Sequence, residues 1–358
     1  MLPEVIIESY IPFVGDTLEG IARVRRLSPE EIDAGAVRDA DALIVRTRTR
    51  CDATLLSGSR VRFVATATIG TDHLDLPYLK ANGIEAVSCP GCNAPAVAQY
   101  VWSSIFTLLP DITPDATIGI VGLGHVGSIV ARWGHQLGFN ILACDPPRST
   151  STSGYDPQSP ANEGSAPFVS LDEIARRADV VTLHTPHTRG GDHPTHHLAG
   201  PALFDALERK PLLINAARGP VVDTPALIEA LRSGKIGACA IDCWEGEPAI
   251  DRELLDLSAI ATPHIAGYSI QGKERATAMS LSALLRFIAS IRPDLSEEAN
   301  RRISALQMPP ATPPGLDLSR DLILSSYDPL ADTRNLRQAP ADFEALRNHY
   351  NLRTETGF

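Results

Sequence analysis

Three polar residues stand at or just past the ends of apolar runs: Arg218 in Asn215-Ala-Ala-Arg-Gly219, Glu247 in Asp242-Cys-Trp-Glu-Gly-Glu-Pro248, and His264 in Thr262-Pro-His-Ile-Ala-Gly267. Together they suit the removal of hydrogen from an alcohol that neighbours a carboxylate. That chemistry needs a base for the hydroxyl proton, a fixed cation for the carboxylate and an acceptor for the hydride. A histidine titrates near neutrality and can be the base. A glutamate can hold the imidazole and stabilise its charged form. An arginine, permanently charged and forked, fits a carboxylate and the negative charge on the C2 oxygen. Singly, each also has an ordinary reading as a surface ion pair, a solvated turn or a structural histidine; the order and spacing of the three argue for chemistry.

The hydride acceptor is foreshadowed upstream. Thr117-Ile-Gly-Ile-Val-Gly122-Leu-Gly124-His125-Val126-Gly127 reads as a strand, a glycine turn and a helix start, and a second apolar run, Asn140-Ile-Leu-Ala-Cys144, ends on Asp145. Gly122 permits a tight turn, Gly124 lets backbone approach a pyrophosphate, and Gly127 lets the helix pack on the strand. The helix N-terminus then faces the phosphates. Asp145 follows at the expected distance of about 20 residues, where it can accept hydrogen bonds from the ribose hydroxyls and repel a 2′-phosphate. The expected cofactor is NAD. Arg148, three residues further on, could pair with a 2′-phosphate and keeps NADP open as the alternative.

At 358 residues and 44% hydrophobic content, the chain can bury a large core, and its length suggests two or more domains. The net charge of −11 argues against nucleic acid or an anionic membrane as partner. Neither a signal peptide nor a transmembrane run is evident, so a cytoplasmic enzyme is expected. The six cysteines are scattered, as free thiols in a reducing compartment would be. Cys89-Pro-Gly-Cys92 has redox spacing but no second ligand pair, and no metal is expected. Histidines 184, 187, 193, 196 and 197 crowd one region interrupted by Gly-Gly-Asp, which reads as a mobile polar loop.

These residues must be carried by repeated strand and helix units. The first ~90 residues hold strand-like runs at Glu4-Val-Ile-Ile, Ala42–Val45, Arg62–Ala65 and Ile84–Val87. Ser28-Pro-Glu-Glu31 predicts a capped helix start, as does Ser170-Leu-Asp-Glu173. Thr224-Pro225 opens a helix that runs to Arg232. A helix from Ala94 to Leu109 leads into the glycine unit, whose further strands are Asp179–His184, Leu212–Asn215, Ala238–Asp242 and Ala259–Thr262. In a parallel sheet the carboxyl ends of such strands define the ligand crevice. Residues 146–167 read as an irregular loop and 273–289 as a helix returning to the first domain, while beyond about 290 proline and charge rise.

The Arg, Glu and His order behind the glycine motif resembles the D-isomer-specific 2-hydroxyacid dehydrogenases. Ala65-Thr-Ala-Thr-Ile-Gly-Thr-Asp-His-Leu-Asp75, Pro90-Gly-Cys-Asn-Ala94, Cys144-Asp-Pro-Pro-Arg148, Trp244-Glu-Gly-Glu-Pro248 and Thr262-Pro-His-Ile-Ala-Gly-Tyr268 are similar to one branch, whose substrate is a phosphorylated hydroxy acid. Tyr327-Asp-Pro and Asp342-Phe-Glu-Ala-Leu-Arg-Asn-His-Tyr350 resemble the carboxy-terminal dimerisation region of that branch. The resemblance implies an α/β protein with two doubly wound parallel-sheet domains, a flavodoxin-like substrate domain over 1–93 and 268–290 and a Rossmann NAD domain over 94–267. A small carboxy-terminal extension over 291–358 and a homodimer complete it. It implies catalytic roles for Arg218, Glu247 and His264, NAD contacts at Asp145, Thr185, Asp242 and Gly267, and substrate contacts at Thr47, Thr68 and Tyr268.

From the residues themselves, Thr68-Ile69-Gly70 offers a turn whose N–H groups could hold the substrate carboxylate, with strand-end capping as the alternative for Thr47 and Thr68. Arg46, Arg48 and Arg50 alternate with threonines, and an extended chain would put them on one face. Arg46 or Arg48 is the expected reader of the phosphate; a solvated basic edge is the alternative. Two rival functions stand beside this one: a dehydrogenase of phosphoglycerate or glyoxylate, and an NAD-sensing binding protein on the same fold.

Overall fold

The computed structural model describes residues 2–149, 166–313 and 315–358. It consists of two compact units, Met1–Asn93 with Ser269–Ala311, and Ala94–Tyr268 with Thr312–Phe358.

The first unit carries five strands, β1 (Glu4–Glu8), β2 (Arg23–Leu27), β3 (Ala42–Val45), β4 (Phe63–Thr66) and β5 (Glu85–Val87), in the parallel order β2-β1-β3-β4-β5. This is the flavodoxin-like order. Strands β3 and β4 are buried along their whole length, as strands covered on both faces must be. On one face Val5, Ile7, Ile44 and Phe63 pack with Leu281, Leu284, Leu285 and Ile288 of the helix Ile270–Ile291. On the other, Ile6, Leu43, Val45 and Val64 meet Leu55, Leu56 and Leu79. The sheet order reverses between β1 and β3, so the chain beyond Glu8 and Val45 lies at a switch point.

Two sequence expectations fail in this unit. Strand β2, Arg-Val-Arg-Arg-Leu, was not foreseen because an edge strand half open to solvent has no apolar run to announce it. Conversely, the helix expected at Ser28 does not form. The capping contact does, with Glu31 Oε2 accepting the Ser28 N–H at 2.7 Å, yet residues 28–40 run in turns. Asp33 Oδ1 takes the Ala36 N–H at 2.7 Å, a side-chain bond that competes with the helix ladder, and Gly35 lies between them.

The second unit carries β6 (Thr117–Val121), β7 (Asn140–Cys144), β8 (Val180–Leu183), β9 (Leu212–Asn215), β10 (Ala238–Ile241) and β11 (Ile260–Ala261), parallel in the order β11-β10-β9-β8-β6-β7. An isolated parallel bridge from Ala143 to Phe168 extends the edge beyond β7. This is a Rossmann sheet with its reversal between β6 and β8. Helix Ala94–Leu108 packs one face through Tyr100, Val101, Trp102 and Ile105. Asp223, one residue before the expected start, caps the helix Thr224–Arg232 by accepting the Ala226 N–H. Of the loop expected over 146–167, residues 150–165 lie outside those described.

The stretch 291–358, read from sequence as one extension, is shared between the units. The helix Ser296–Ala305 belongs to the first, where Arg302 donates to the carbonyls of Asp16 and Thr17. From Thr312 onward the chain packs on the Rossmann sheet. Ile323 and Tyr327 enter the core on one face, Leu336 and Phe343 the core on the other. No helix among the described residues is long and apolar enough to cross a membrane.

Candidate active site

The glycine turn at the end of β6 is built from two obligatory glycines and one open one. Gly122 has φ +92, and a Cβ there would meet the His184 carbonyl at 2.9 Å. A Cβ on Gly127 would lie 2.1 Å from the Gly122 oxygen. Strand, turn and helix therefore close on one another with no room for a side chain. Gly124 differs, because a Cβ there would meet nothing within 4 Å. It is the N-cap of the helix His125–Gln136, which has no side-chain cap, so no side chain occupies the first N–H groups, starting at His125 and Val126. A pyrophosphate fits such a cradle.

Asp145, just past β7, accepts the Leu123 N–H at 2.8 Å and the Arg148 N–H at 3.2 Å, so its carboxylate sits against the turn. Arg148 folds back onto the Leu123 carbonyl, with Ser128 Oγ at 3.5 Å. That engagement ties the arginine to the protein rather than to a 2′-phosphate. Past β8, Thr185 Oγ1 and His184 Nδ1 are buried and have no partner among the described residues. Burial pushes His184 down to about 3, so it is neutral at physiological pH. An unpartnered hydroxyl beside the glycine turn is the second observation that fits a bound dinucleotide.

The reactive groups come from the next three strand ends. At the end of β9, Asn215 Nδ2 donates to the carbonyls of Arg218, at 3.1 Å, and Cys243, at 3.0 Å, tying two loops together. Arg218 Nη1 donates to Ala217 O at 2.8 Å. Gly219 is required next to it, since a Cβ would fall 1.9 Å from the Trp244 oxygen. Beyond β10, Asp242 is buried, and its carboxylate accepts Thr262 Oγ1 at 2.7 Å and the N–H groups of Ile265 at 2.7 Å and Ala266 at 3.0 Å. Burial outweighs these donors and raises its pKa. Asp242 thus holds the loop after β11 as well as being a candidate for the nicotinamide amide.

On that loop His264 adopts φ +57, a left-handed conformation that a non-glycine residue holds only when its surroundings fix it. Its N–H donates to Asp242 O at 2.9 Å, and Nδ1 lies 2.8 Å from Glu247 Oε2 and 3.2 Å from Oε1. Glu247 Oε1 also accepts the Trp244 N–H at 2.7 Å, which orients the carboxylate. Burial opposes a charged His264, but the adjacent Cys243 sulfur and the Glu247 carboxylate outweigh it and raise its pKa well above the ordinary value. Cys243 is kept a neutral thiol by its own burial, so the carboxylate is the charge that matters. For Glu247 burial is again the opposing influence, overcome by His264, and its pKa falls.

Two arginines that sequence reasoning passed over hold the neighbouring residues, one through backbone carbonyls and one through a side chain. Arg353 is buried, and its guanidinium donates to Gln99 Oε1 at 2.9 Å and to the carbonyls of Ala96 at 3.0 Å, Ile265 at 2.9 Å, Tyr268 at 3.2 Å and Ala266. The His264 loop, including Gly267, is held through its N–H groups by Asp242 and through its carbonyls by Arg353. Arg347 Nε donates to Tyr268 Oη at 3.2 Å. Arg353 belongs to no strand end or motif, and Arg347 lies in the Asp342–Tyr350 stretch, whose resemblance is to a dimerisation region, so no sequence signal marks either as part of the site.

The remaining expected residues lie in the first unit. Arg46, Arg48 and Arg50 do not form one face of a strand, because β3 stops at Val45 and the chain turns. Glu8 Oε2 captures the Arg46 N–H at 2.8 Å, and Thr49 N donates to Arg46 O at 3.2 Å. Arg48 pairs with Glu30 at 3.2 Å and Arg50 with Asp52 at 2.8 Å. Thr47 and Thr68 follow the adjacent strands β3 and β4. The N–H groups of Thr68, Ile69 and Gly70 donate to no protein acceptor among the described residues. The cysteine pair is not reactive: burial pushes Cys89 up to about 11 and Cys92 up to about 12. The histidine-rich segment is knit together rather than loose, with His187 Nε2 and His196 Nδ1 3.2 Å apart and His197 Nε2 2.6 Å from Glu245.

Comparison with known proteins bears on this constellation. Residues 97–266 match the family model described as "D-isomer specific 2-hydroxyacid dehydrogenase, NAD binding domain". An erythronate-4-phosphate dehydrogenase of Bacteroides thetaiotaomicron is 43% identical over 98% of this chain and 97% of its own. The chain belongs to the erythronate-4-phosphate dehydrogenase branch of the D-isomer-specific 2-hydroxyacid dehydrogenases. A member of that branch from Pseudomonas putida is 41% identical over 98% of this chain and 92% of its own. Among solved structures, the D-lactate dehydrogenase of Aquifex aeolicus, complexed with NAD and lactic acid, aligns with a TM-score of 0.65 and 25% identity over 84% of this chain and 98% of its own. The protein is an NAD-dependent 2-hydroxyacid dehydrogenase, and the Rossmann unit is its NAD-binding part.

Proposed function

We propose that the chain oxidises 4-phospho-D-erythronate at C2 to 3-hydroxy-2-oxo-4-phosphooxybutanoate, a step in making pyridoxal 5′-phosphate. The observation that carries the reading is the Glu247–His264 hydrogen bond at 2.8 Å in a chain whose near relatives share that enzyme name. With Nδ1–H donated to Glu247, the other ring nitrogen presents a lone pair to the substrate hydroxyl. His264 takes the hydroxyl proton, and Glu247 stabilises the imidazolium that results. Arg218 binds the substrate carboxylate. NAD, when bound, supplies the hydride acceptor. Gly122, Gly124, His125, Val126, Gly127, Asp145, Thr185, Asp242 and Gly267 would hold it. Thr47, Thr68, Ile69, Gly70 and Tyr268 would contact the substrate, and Arg46 or Arg48 its phosphate. The protein works as a homodimer, supported by the likeness of its carboxy-terminal segment to a dimerisation region; sedimentation velocity checks this. Six free, buried cysteines support a reducing cytoplasmic setting.

The test is NADH formation with 4-phospho-D-erythronate, 3-phosphoglycerate and D-lactate, with a 2-oxo acid acceptor present in case NAD stays bound. Selective oxidation of phosphoerythronate is expected. Activity confined to another acid would overturn the substrate, and silence on all three with NAD bound would make the chain a sensor. His264→Ala is expected to abolish turnover while NAD binding persists. The double variant R46Q/R48Q is expected to weaken apparent substrate affinity.

A further inference from the structure

Arginines in this Rossmann unit are normally spent on the protein itself. Arg353 directs its guanidinium to five protein acceptors, and Arg209 and Arg232 pair with Asp179 and Glu253. Arg347 is different. It sits in the short helix Phe343–Asn348, one turn after Phe343, which is 1% exposed in the core, and next to the partly buried Leu346. Positions three and four residues after Phe343 share its packed face, so the sequence sends a cation toward the protein rather than into water. Yet its single protein acceptor among the described residues is a neutral phenol, Tyr268 Oη, at 3.2 Å from Nε. No carboxylate among those residues lies within ion-pair distance. The guanidinium rides 6.0 Å from the Tyr268 ring centroid, and Tyr350 packs edge-on against the same ring at 6.2 Å, so the cation is braced and not free to swing away. Its partner Tyr268 stands four residues past His264, on the loop that carries the base, and its charge helps to hold the Glu247 carboxyl low.

A braced, half-buried arginine whose two terminal amino groups have no protein acceptor among the described residues is prepared for an anion. On the reading above the substrate has two anionic ends. Arg218 takes the carboxylate, and the cofactor pyrophosphate has the uncapped helix at Gly124. The phosphate monoester, to which the first unit would bring Arg46 or Arg48, has no partner yet from the Rossmann unit. We infer that Arg347, delivered by the carboxy-terminal segment and braced by Tyr268, binds the phosphate of the substrate and selects phosphorylated over unphosphorylated hydroxy acids. This rests on the proposed substrate, and it gives the segment a part in recognition.

The experiment compares kcat/KM for 4-phospho-D-erythronate with that for D-erythronate, in wild type, Arg347→Gln and Arg347→Lys. The glutamine variant is expected to lower the preference for the phosphorylated acid by roughly 10- to 100-fold, mostly through KM, with lysine in between because it keeps the charge and loses the fork. Inorganic phosphate should compete with substrate in wild type and more weakly in both variants. If the two substrates lose equally, or only kcat falls, Arg347 merely braces Tyr268 and the inference is wrong. Should the glutamine variant fail to fold, the lysine variant carries the same comparison. A wild-type enzyme with no preference for the phosphorylated acid would overturn the proposed substrate; a strong preference that both variants retain would overturn the role of Arg347 alone.

Discussion

His264 depends on Glu247 for two separate things, orientation and charge. The carboxylate bonds Nδ1 and is itself aimed by the Trp244 N–H, which fixes the tautomer that leaves the far nitrogen free. Against burial, and together with the adjacent Cys243 sulfur, it also lifts the histidine pKa above its ordinary value. In the oxidation direction the histidine must start neutral, so kcat/KM should rise with pH, with an inflection above about 6.5, the ordinary histidine value. Replacing Glu247 by Gln keeps a hydrogen-bonding group but removes the charge that stabilises the imidazolium. The inflection should then move to lower pH while the plateau falls by roughly 10²-fold or more. A pH–rate profile of both proteins measures this, and an unmoved inflection would mean that the carboxylate does not set the titration. The three groups were legible in sequence because each closes an apolar run. Arg347 and Arg353 were not, because an arginine in a polar tail looks the same whether it faces water or the protein interior. Arg46 and Arg48 show the reverse error, in which alternation suggested a strand that Glu8 terminates by capturing the Arg46 N–H.

A strand, a turn and a helix meet at Gly122–Gly127, and the three glycines do not have equal work there. Gly127 is needed by the fold, since its Cβ would lie 2.1 Å from a backbone oxygen, whereas the Cβ of Gly124 would enter empty space. Gly127→Ala should therefore cost about 2–3 kcal/mol or more of stability, because helix and turn must separate. Gly124→Ala should cost no more than about 1 kcal/mol, the scale of an N-cap change, yet weaken NAD clearly. Urea unfolding combined with NAD titration separates the two effects. Equal loss of stability in both variants would show that Gly124 is also a packing glycine. Elements of this kind were readable since buried parallel strands are continuous apolar runs that end on polar residues. The misses lie where that signal is weak. Strand β2 is charged because it lies at an edge, and the turns after Ser28 begin with a genuine capping contact that Asp33 and Gly35 then divert.

The carboxy-terminal segment matters most at the scale of the whole chain. Its resemblance to a dimerisation region suggests an appendage whose loss would give a folded monomer, but its packing suggests otherwise. Ile323 and Tyr327 belong to the core on one face of the Rossmann sheet, Leu336 and Phe343 to the core on the other. Thr333 Oγ1 accepts the N–H of Ala261 in edge strand β11 at 3.0 Å, and Arg353 satisfies three carbonyls of the loop that carries His264. Burying a large apolar side chain contributes about 1.5–3 kcal/mol, so the four core residues alone represent about 6–12 kcal/mol. A folded domain has about 5–15 kcal/mol of net stability in total. A chain ending at Ala311 should consequently lose cooperative unfolding and NAD binding together, and not simply change its oligomeric state. Circular dichroism melts and NAD titration of the shortened protein decide it: a cooperative transition with retained NAD affinity would return the segment to a purely dimerising role, and loss of both would make it a structural part of the dehydrogenase.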